Sequence, residues 1–125
     1  MWEYRARCTR VVDGDTQDVL VDLGFKIGHE IRLRLAGVNT PEVRGKEREA
    51  GRAATDFVHE WLAQASDLAE GVDQGDWPLV VETRKTGKYG RWIARVRNCA
   101  GDYLNDDLNQ HGHNKTPGYG PDKWT

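Results

Sequence analysis

The sequence predicts an α+β protein built on a small five-stranded barrel, with a long helix after the third strand and a short helix near the C-terminus. Three observations predict this order. Segments with alternating apolar residues occupy the first third of the chain, an apolar stripe with helical spacing follows, and two further strand segments precede a short helical one. The 125 residues suggest one domain, with a core over about residues 5–113 and a turn-rich tail over residues 114–125.

The first three strands are predicted to form a meander with one apolar face. The first strand covers residues 4–12 and is followed by Asp13-Gly14. That pair is a strong hairpin signal, because both central residues of a type I′ turn need positive φ. A second turn is expected near residues 26–28. The alternating apolar positions are Val19, Val21 and Leu23 in the second strand, and Ile31, Leu33 and Leu35 in the third.

The second half of the chain begins with a helix over about residues 47–65, followed by an acidic loop over residues 67–78. A fourth strand begins at Leu79, a fifth covers residues 91–97, and a short helix over residues 104–110 is ended by Gly112. This order of short elements fits a five-stranded Greek-key barrel of the OB type. The apolar stripe of the long helix consists of Ala50, Ala53, Ala54, Phe57, Val58, Trp61, Leu62 and Ala65.

The composition limits the classes of protein to which this chain can belong. The formal net charge is -2, whereas duplex-DNA binders are usually strongly basic, so any nucleic-acid site must be a local basic patch. No apolar run reaches the roughly 18 residues of a membrane span. The N-terminal segment lacks a signal peptide, which favours a cytoplasmic protein over a secreted one that has lost a leader. Cys8 and Cys99 are far apart, and two reduced thiols are favoured over one disulfide.

Three clusters of polar residues carry the candidate chemistry. Asp15 follows the first turn, where a carboxylate with no turn role fits a metal ligand. Arg34 lies near the end of the third strand, and residues 88–91 place a second arginine at the start of a later strand. A guanidinium group donates hydrogen bonds in a planar fork that fits the oxygens of a phosphate. Taken singly, each cluster also fits an ordinary turn or exposed strand. The oxygen donors that follow Arg34, which suit a hard cation such as Ca²⁺, are Asn39, Thr40 and Glu42.

Together and in this order, the clusters resemble those of the staphylococcal nuclease (thermonuclease) family. In that family an Asp-Gly-Asp-Thr turn is followed by an arginine strand ending in Val-Asp-Thr-Pro-Glu, and later by Lys-Tyr-Gly-Arg. Here the matching segments are residues 13–16, 34–42 and 88–91, and the resemblance covers about residues 5–113. It implies a calcium-dependent nuclease that hydrolyses phosphodiester bonds of DNA, with RNA as an alternative substrate. We expect a monomer whose partner is nucleic acid and not a membrane.

The resemblance implies a set of Ca²⁺ ligands. Asp15 would ligate through its carboxylate and Thr40 through its backbone carbonyl. Asn39 stands where the family usually has an aspartate. Because an amide brings no negative charge, we expect weaker calcium binding. Asp13 or Asp18 could compensate for the missing charge.

The resemblance also implies roles in catalysis and substrate binding. Glu42 would orient and deprotonate the attacking water. Arg34 and Arg91 would hold the scissile phosphate and stabilise its transition-state charge. The positions near the bound nucleotide are Lys88, Tyr89 and Tyr119.

Two alternatives stay open. One is an inactive OB-type module that binds nucleic acid or a protein without cutting, which the amide at Asn39 favours. Degenerate members usually lose the acid after proline or one arginine, so the presence of Glu42, Arg34 and Arg91 favours activity. The other is a glycosidase with Asp15 and Glu42 as its carboxylate pair, which the interleaved arginines disfavour.

Overall fold

A computed structural model describes residues 2–86 and 92–115 of the chain. Five strands close into a barrel in the order β1-β2-β3-β5-β4, and every neighbouring pair is antiparallel except β3 and β5. A long helix after the third strand and a short helix near the C-terminus complete the predicted α+β architecture, which is confirmed. The elements are β1 (Trp2–Asp13), β2 (Thr16–Asp22), β3 (Gly28–Leu35), a 3-10 turn (Gly45–Glu47), α1 (Arg48–Gly71), β4 (Leu79–Thr86), β5 (Trp92–Arg97) and α2 (Leu104–Gln110).

The barrel interior follows the predicted alternation, with one exception. Val19, Val21, Leu33 and Leu35 are buried in the core, as expected where alternate side chains face one side of a strand. Leu23 was predicted to belong to this face, but its side chain is 47% exposed. The reason is that β2 ends at Asp22, so the alternation no longer applies one residue later.

The turn between β1 and β2 has a different geometry from the predicted one. Asp13 pairs with Thr16, so the hairpin is confirmed and its two-residue turn is Gly14-Asp15. The type I′ interpretation is wrong, because neither turn residue has positive φ. Gly14 is required for space instead: a Cβ at this position would lie 2.8 Å from the Thr40 hydroxyl oxygen. The missing side chain lets the loop after β3 approach the turn.

Helix α1 is longer than predicted and buries a slightly different face. It continues to Gly71, so the acidic loop predicted over residues 67–78 is shortened to residues 72–78. Ala69 is fully buried, like the predicted Ala65, and extends the apolar stripe by one more turn. Ala50 and Ala53, predicted to be buried, are exposed, and Gly51 between them is buried instead.

Helix α2 has the predicted bounds, and residues 111–115 turn back towards the loop after β3. Gly112 has φ of 76° and its N–H donates to the Asn109 carbonyl at 3.2 Å, while the His113 N–H donates to the Leu108 carbonyl at 2.9 Å. These two bonds form a Schellman motif, which reverses the chain. The reversal brings the buried Asn114 against the loop after β3. Asn114 and Lys115, the first two residues of the predicted tail, are therefore both hydrogen-bonded to Asn39.

Two further observations concern cysteine chemistry and membranes. Cys8 is partly buried, Cys99 is exposed, and both are free thiols. Burial raises the pKa of the Cys8 thiol to about 11, which keeps it protonated at neutral pH. Neither helix in the described part of the chain combines the length and the apolar character needed to cross a bilayer. The compartment stays a prediction.

Candidate functional site

The centre of the candidate site is an ion pair between Asp15 and Arg34. Asp15 lies in the β1–β2 turn, and Arg34 lies on β3 opposite Thr16. The Arg34 Nη1 atom is 3.0 Å from the Asp15 Oδ2 atom, and the two side chains are 7% and 12% exposed. The Leu35 N–H donates to the Asp15 carbonyl at 2.8 Å, which joins the turn to the end of β3. The structure therefore brings these two predicted site residues together.

The loop after β3 fixes both members of this ion pair. Arg34 Nη1 donates to the Val38 carbonyl at 2.9 Å. The Thr40 N–H donates to Asp15 Oδ2 at 3.0 Å, and the Thr16 hydroxyl donates to Asp15 Oδ1 at 2.9 Å. A buried carboxylate with several donors is held in one orientation. The Asp15 side chain is therefore positioned before any ligand binds.

A second carboxylate lies beside Asp15. The Asp15 N–H donates to Asp13 Oδ1 at 3.1 Å. Burial, and then the neighbouring Asp15 carboxylate, raise the pKa of Asp13 to about 6. Two carboxylates placed together repel each other, and a cation between them removes that penalty. Asp18, the other residue considered for this role, is hydrogen-bonded to Arg32 at 2.8 and 3.2 Å.

The backbone of Asn39 is held by residues after α2. The Asn39 N–H donates to Asn114 Oδ1 at 3.1 Å, and the Asn39 carbonyl accepts from the Lys115 N–H at 2.9 Å. The Thr40 hydroxyl oxygen is buried and has no hydrogen-bond partner among residues 2–86 and 92–115. An unpaired buried hydroxyl is costly. This atom marks the loop as a place where a polar ligand would be stabilised.

The donor set fits a hard cation and does not fit a soft one. Within the described ranges, no group of three or more His, Cys, Asp or Glu side chains converges. The local donors are the carboxylates of Asp13 and Asp15 with amide, hydroxyl and carbonyl oxygens of residues 39–40. Ca²⁺ accepts such neutral oxygens together with water, whereas zinc sites use histidine and thiolate ligands. Asp15, Asn39 and Thr40 thus remain suitable as the predicted metal ligands.

Glu42 follows Thr40 by two residues and is exposed. Its N–H donates to Glu47 Oε2 at 2.9 Å, and its carboxylate makes no hydrogen bond or ion pair within the described residues. Lys115 Nζ lies 3.0 Å from the same Glu47 oxygen. The Glu42 N–H and then Lys115 lower the pKa of Glu47. The backbone of Glu42 is therefore anchored while its carboxylate faces solvent.

Four predicted site residues lie outside the described residues. They are Arg91 among the catalytic residues and, among the substrate-binding residues, Lys88, Tyr89 and Tyr119. The next residue after Arg91 that is described is Trp92, which pairs with Leu33 in the parallel contact between β3 and β5.

Sequence reasoning missed the residues that support the loop. Gly51 packs so closely that a Cβ there would lie 2.1 Å from the Glu42 carbonyl oxygen. An isolated glycine inside a helical pattern often has such a packing role, so this signal was present. Asn114 and Lys115 carry no comparable signal, because their partners Asn39 and Glu47 are far away in the sequence.

Comparisons with known proteins do not assign the chain to a family. No model of a known protein family matches the sequence. A search of curated proteins likewise finds no matching relative. The resemblance to the staphylococcal nuclease family therefore stays a prediction that rests on the residues quoted for it.

Proposed function

We propose that the chain is a calcium-dependent nuclease that hydrolyses phosphodiester bonds of DNA, with RNA as an alternative substrate. The barrel would be of the OB type with Greek-key topology, as in the staphylococcal nuclease family. The observation that carries the proposal is the buried contact of Arg34 with Asp15 at 3.0 Å, beside the Thr40 backbone. Oxygen donors for a hard cation and a guanidinium for a phosphate thus share one location.

The residues of the site would either hold the metal ion or bind the phosphate. Asp15, with Asp13 beside it and the oxygens of residues 39–40, would hold Ca²⁺. Bound Ca²⁺ would supply positive charge next to the phosphoryl oxygens, which polarises them towards attack. Arg34 is oriented by the Asp15 carboxylate and the Val38 carbonyl. A guanidinium fixed in this way needs no reorganisation as negative charge develops on the phosphate.

Glu42 would act as the general base. Its carboxylate is exposed and makes no bond with the described residues, so it can accept a proton from water. Anchoring of its backbone by Glu47 limits the positions that this carboxylate samples. Arg91 would supply the second guanidinium to the phosphate.

A second candidate function is a nucleic-acid-binding module that does not cut. The observation that favours it is the amide of Asn39, which leaves the metal site with one carboxylate fewer than the family pattern. Since calcium affinity depends on ligand charge, a site that rarely holds the metal would still bind phosphates through arginine.

A cleavage assay separates the two functions. The protein is incubated with single-stranded DNA in Ca²⁺ or in EGTA, and products are separated on a gel. We expect cutting that requires Ca²⁺ and falls by a factor on the order of 10²–10³ in Glu42→Gln, as for loss of one catalytic group. Glu49→Gln, which changes another exposed glutamate, on α1, is the matched control. Binding without cutting would support the module, and cutting in EGTA would reject the calcium mechanism.

A further inference from the structure

An exposed ion pair lies directly beside the candidate site. Asp18 on β2 pairs with Arg32 on β3, two register positions from the pairing of Thr16 with Arg34. Because side chains alternate along a strand, Arg32 and Arg34 project from the same face of β3, about 7 Å apart along the strand. This separation matches the scale of the distance between neighbouring phosphates on a nucleic-acid strand.

The geometry of this pair leaves one edge of the guanidinium open. Arg32 Nε is 2.8 Å from Asp18 Oδ1, and Arg32 Nη2 is 3.2 Å from Asp18 Oδ2. Nη1 makes no hydrogen bond with any residue in ranges 2–86 and 92–115, and the Arg32 side chain is 48% exposed. A bidentate carboxylate thus fixes the plane of the guanidinium while its remaining donors face solvent.

A second arginine flanks the same carboxylate. Arg10 on β1 pairs with Asp18 across the strands, opposite to Arg32. Arg10 is exposed and makes no hydrogen bond or ion pair within the described part of the chain. Arg10 and Arg32 therefore flank Asp18 from the two neighbouring strands, and the charge of Asp13 also acts on Arg32.

We propose that Arg32 and Arg10 bind the phosphate adjacent to the scissile one, so that the ligand is a nucleic-acid strand that extends from Arg34 past Arg32 on β3 towards Arg10 on β1. This inference rests on the proposed function, which places the scissile phosphate at Arg34. Asp18 is a positioning residue that orients Arg32. Exposed ion pairs contribute little to folding stability, whereas a preorganised guanidinium binds a phosphate with a smaller loss of entropy.

The chain contains a matched control for this surface. Arg5 Nη2 is 2.8 Å from Asp22 Oδ2, and the Arg5 side chain is 62% exposed. This pair has the same chemistry, but Asp22 is at the far end of β2, about 20 Å along the strand from Thr16. A phosphate adjacent to the scissile one cannot reach it.

The test compares Arg32→Gln, Arg10→Gln and Arg5→Gln in binding of a labelled single-stranded oligodeoxynucleotide, measured by fluorescence anisotropy in EGTA over a salt series. Each lost phosphate contact should lower the slope of log affinity against log salt by about 0.7, equivalent to about fivefold weaker binding at 0.1 M salt. We expect this loss for Arg32→Gln and Arg10→Gln and no change for Arg5→Gln. The rise in KM in the Ca²⁺ cleavage assay should grow with strand length and be smallest for a dinucleotide.

Equal slopes for Arg32→Gln and Arg5→Gln would overturn the inference, whether or not the protein cleaves DNA. If Arg32→Gln and Arg10→Gln lower the slope of log affinity against log salt, Arg5→Gln does not, and the protein does not cleave DNA, the strand-binding surface is supported and the nuclease function is rejected. A wild-type protein that does not bind the oligonucleotide would overturn both. Circular dichroism of each variant confirms that it is folded.

Discussion

The two ends of β2 carry the same kind of ion pair in opposite environments. At one end Arg34 and Asp15 are buried, with side chains 7% and 12% exposed. At the other end Arg5 is 62% exposed while it contacts Asp22. The buried pair is also bonded to Val38, Thr40 and Thr16. The residue types alone thus do not indicate importance; the surrounding backbone donors and acceptors determine which pair can be a functional site.

The loops at the two ends differ in the same way. Near Asp15, a loop approaches so closely that only glycine fits at position 14. At the other end, the turn that follows β2 projects into solvent, with Phe25 97% exposed and φ of 54° at Phe25 and 60° at Lys26. Left-handed φ is costly for residues other than glycine. One end of the barrel is therefore tightly packed around a polar site, and the other ends in an exposed turn.

The largest expected effect comes from breaking the buried pair. Arg34→Met leaves the Asp15 carboxylate buried without its cation, which should lower the free energy of unfolding by about 3 kcal/mol. Cleavage should fall by a factor on the order of 10²–10³, since a transition-state donor is lost. Arg5→Met should cost less than about 1 kcal/mol and leave cleavage unchanged. Urea unfolding and the gel assay measure both. Similar losses in the two variants would contradict the comparison.

A change in packing beneath the site should have the next largest effect. Gly51→Ala places a Cβ 2.1 Å from the Glu42 carbonyl oxygen, and we expect a loss of about 1–3 kcal/mol from overpacking. Displacement of Glu42 should lower kcat as well. Gly71→Ala, at the other end of α1, has nothing within 4 Å of its Cβ and should be neutral or stabilising. If both variants retain full kcat, the contact with Gly51 does not position Glu42.

Adding a negative charge at position 39 should raise the affinity of the site for calcium. Asn39→Asp restores a carboxylate, and calcium affinity should rise on the order of tenfold, because affinity follows ligand charge. Isothermal titration calorimetry measures the dissociation constant. Gln74→Glu adds the same charge in the exposed loop after α1 and serves as the control. Unchanged affinity in Asn39→Asp would remove Asn39 from the set of ligands.

The smallest expected effect is a change in the pKa of Asp18, which pairs with Arg32 on the same strands. The hydrogen bond from Arg32 lowers the pKa of Asp18. A carboxyl group with a lowered folded-state pKa stabilises the protein above its unfolded pKa, and this contribution is lost as the pH falls through the folded pKa. In Arg32→Gln, NMR titration should show the Asp18 pKa rising towards its ordinary value, with less acid sensitivity of unfolding. A pKa that does not change would mean that Asp18 does not hold Arg32 in solution.

Much of the fold was predictable from local patterns. The alternation of Val19 with Val21 and of Leu33 with Leu35 predicted the barrel face, and the stripe through Ala54 and Val58 predicted α1. The bounds of α2 were correct because Gly112 provides a C-terminal signal with a direct physical cause. Errors occurred near the ends of the elements, at Leu23, at Ala50 and Ala53 in the first turns of α1, and at the end of α1, since an element's terminal residues are set by packing.

The sequence alone determined which residue types are available for the site: a carboxylate at Asp15, an arginine at position 34 and an oxygen-rich loop at residues 39–42. Only the tertiary structure decided which of them are buried together and what supports them. Asn39 is held by Asn114, 75 residues later, and Glu47 by Lys115, 68 residues later. Such contacts form because the closed barrel and the turn after α2 bring distant segments together, and no local pattern encodes that proximity.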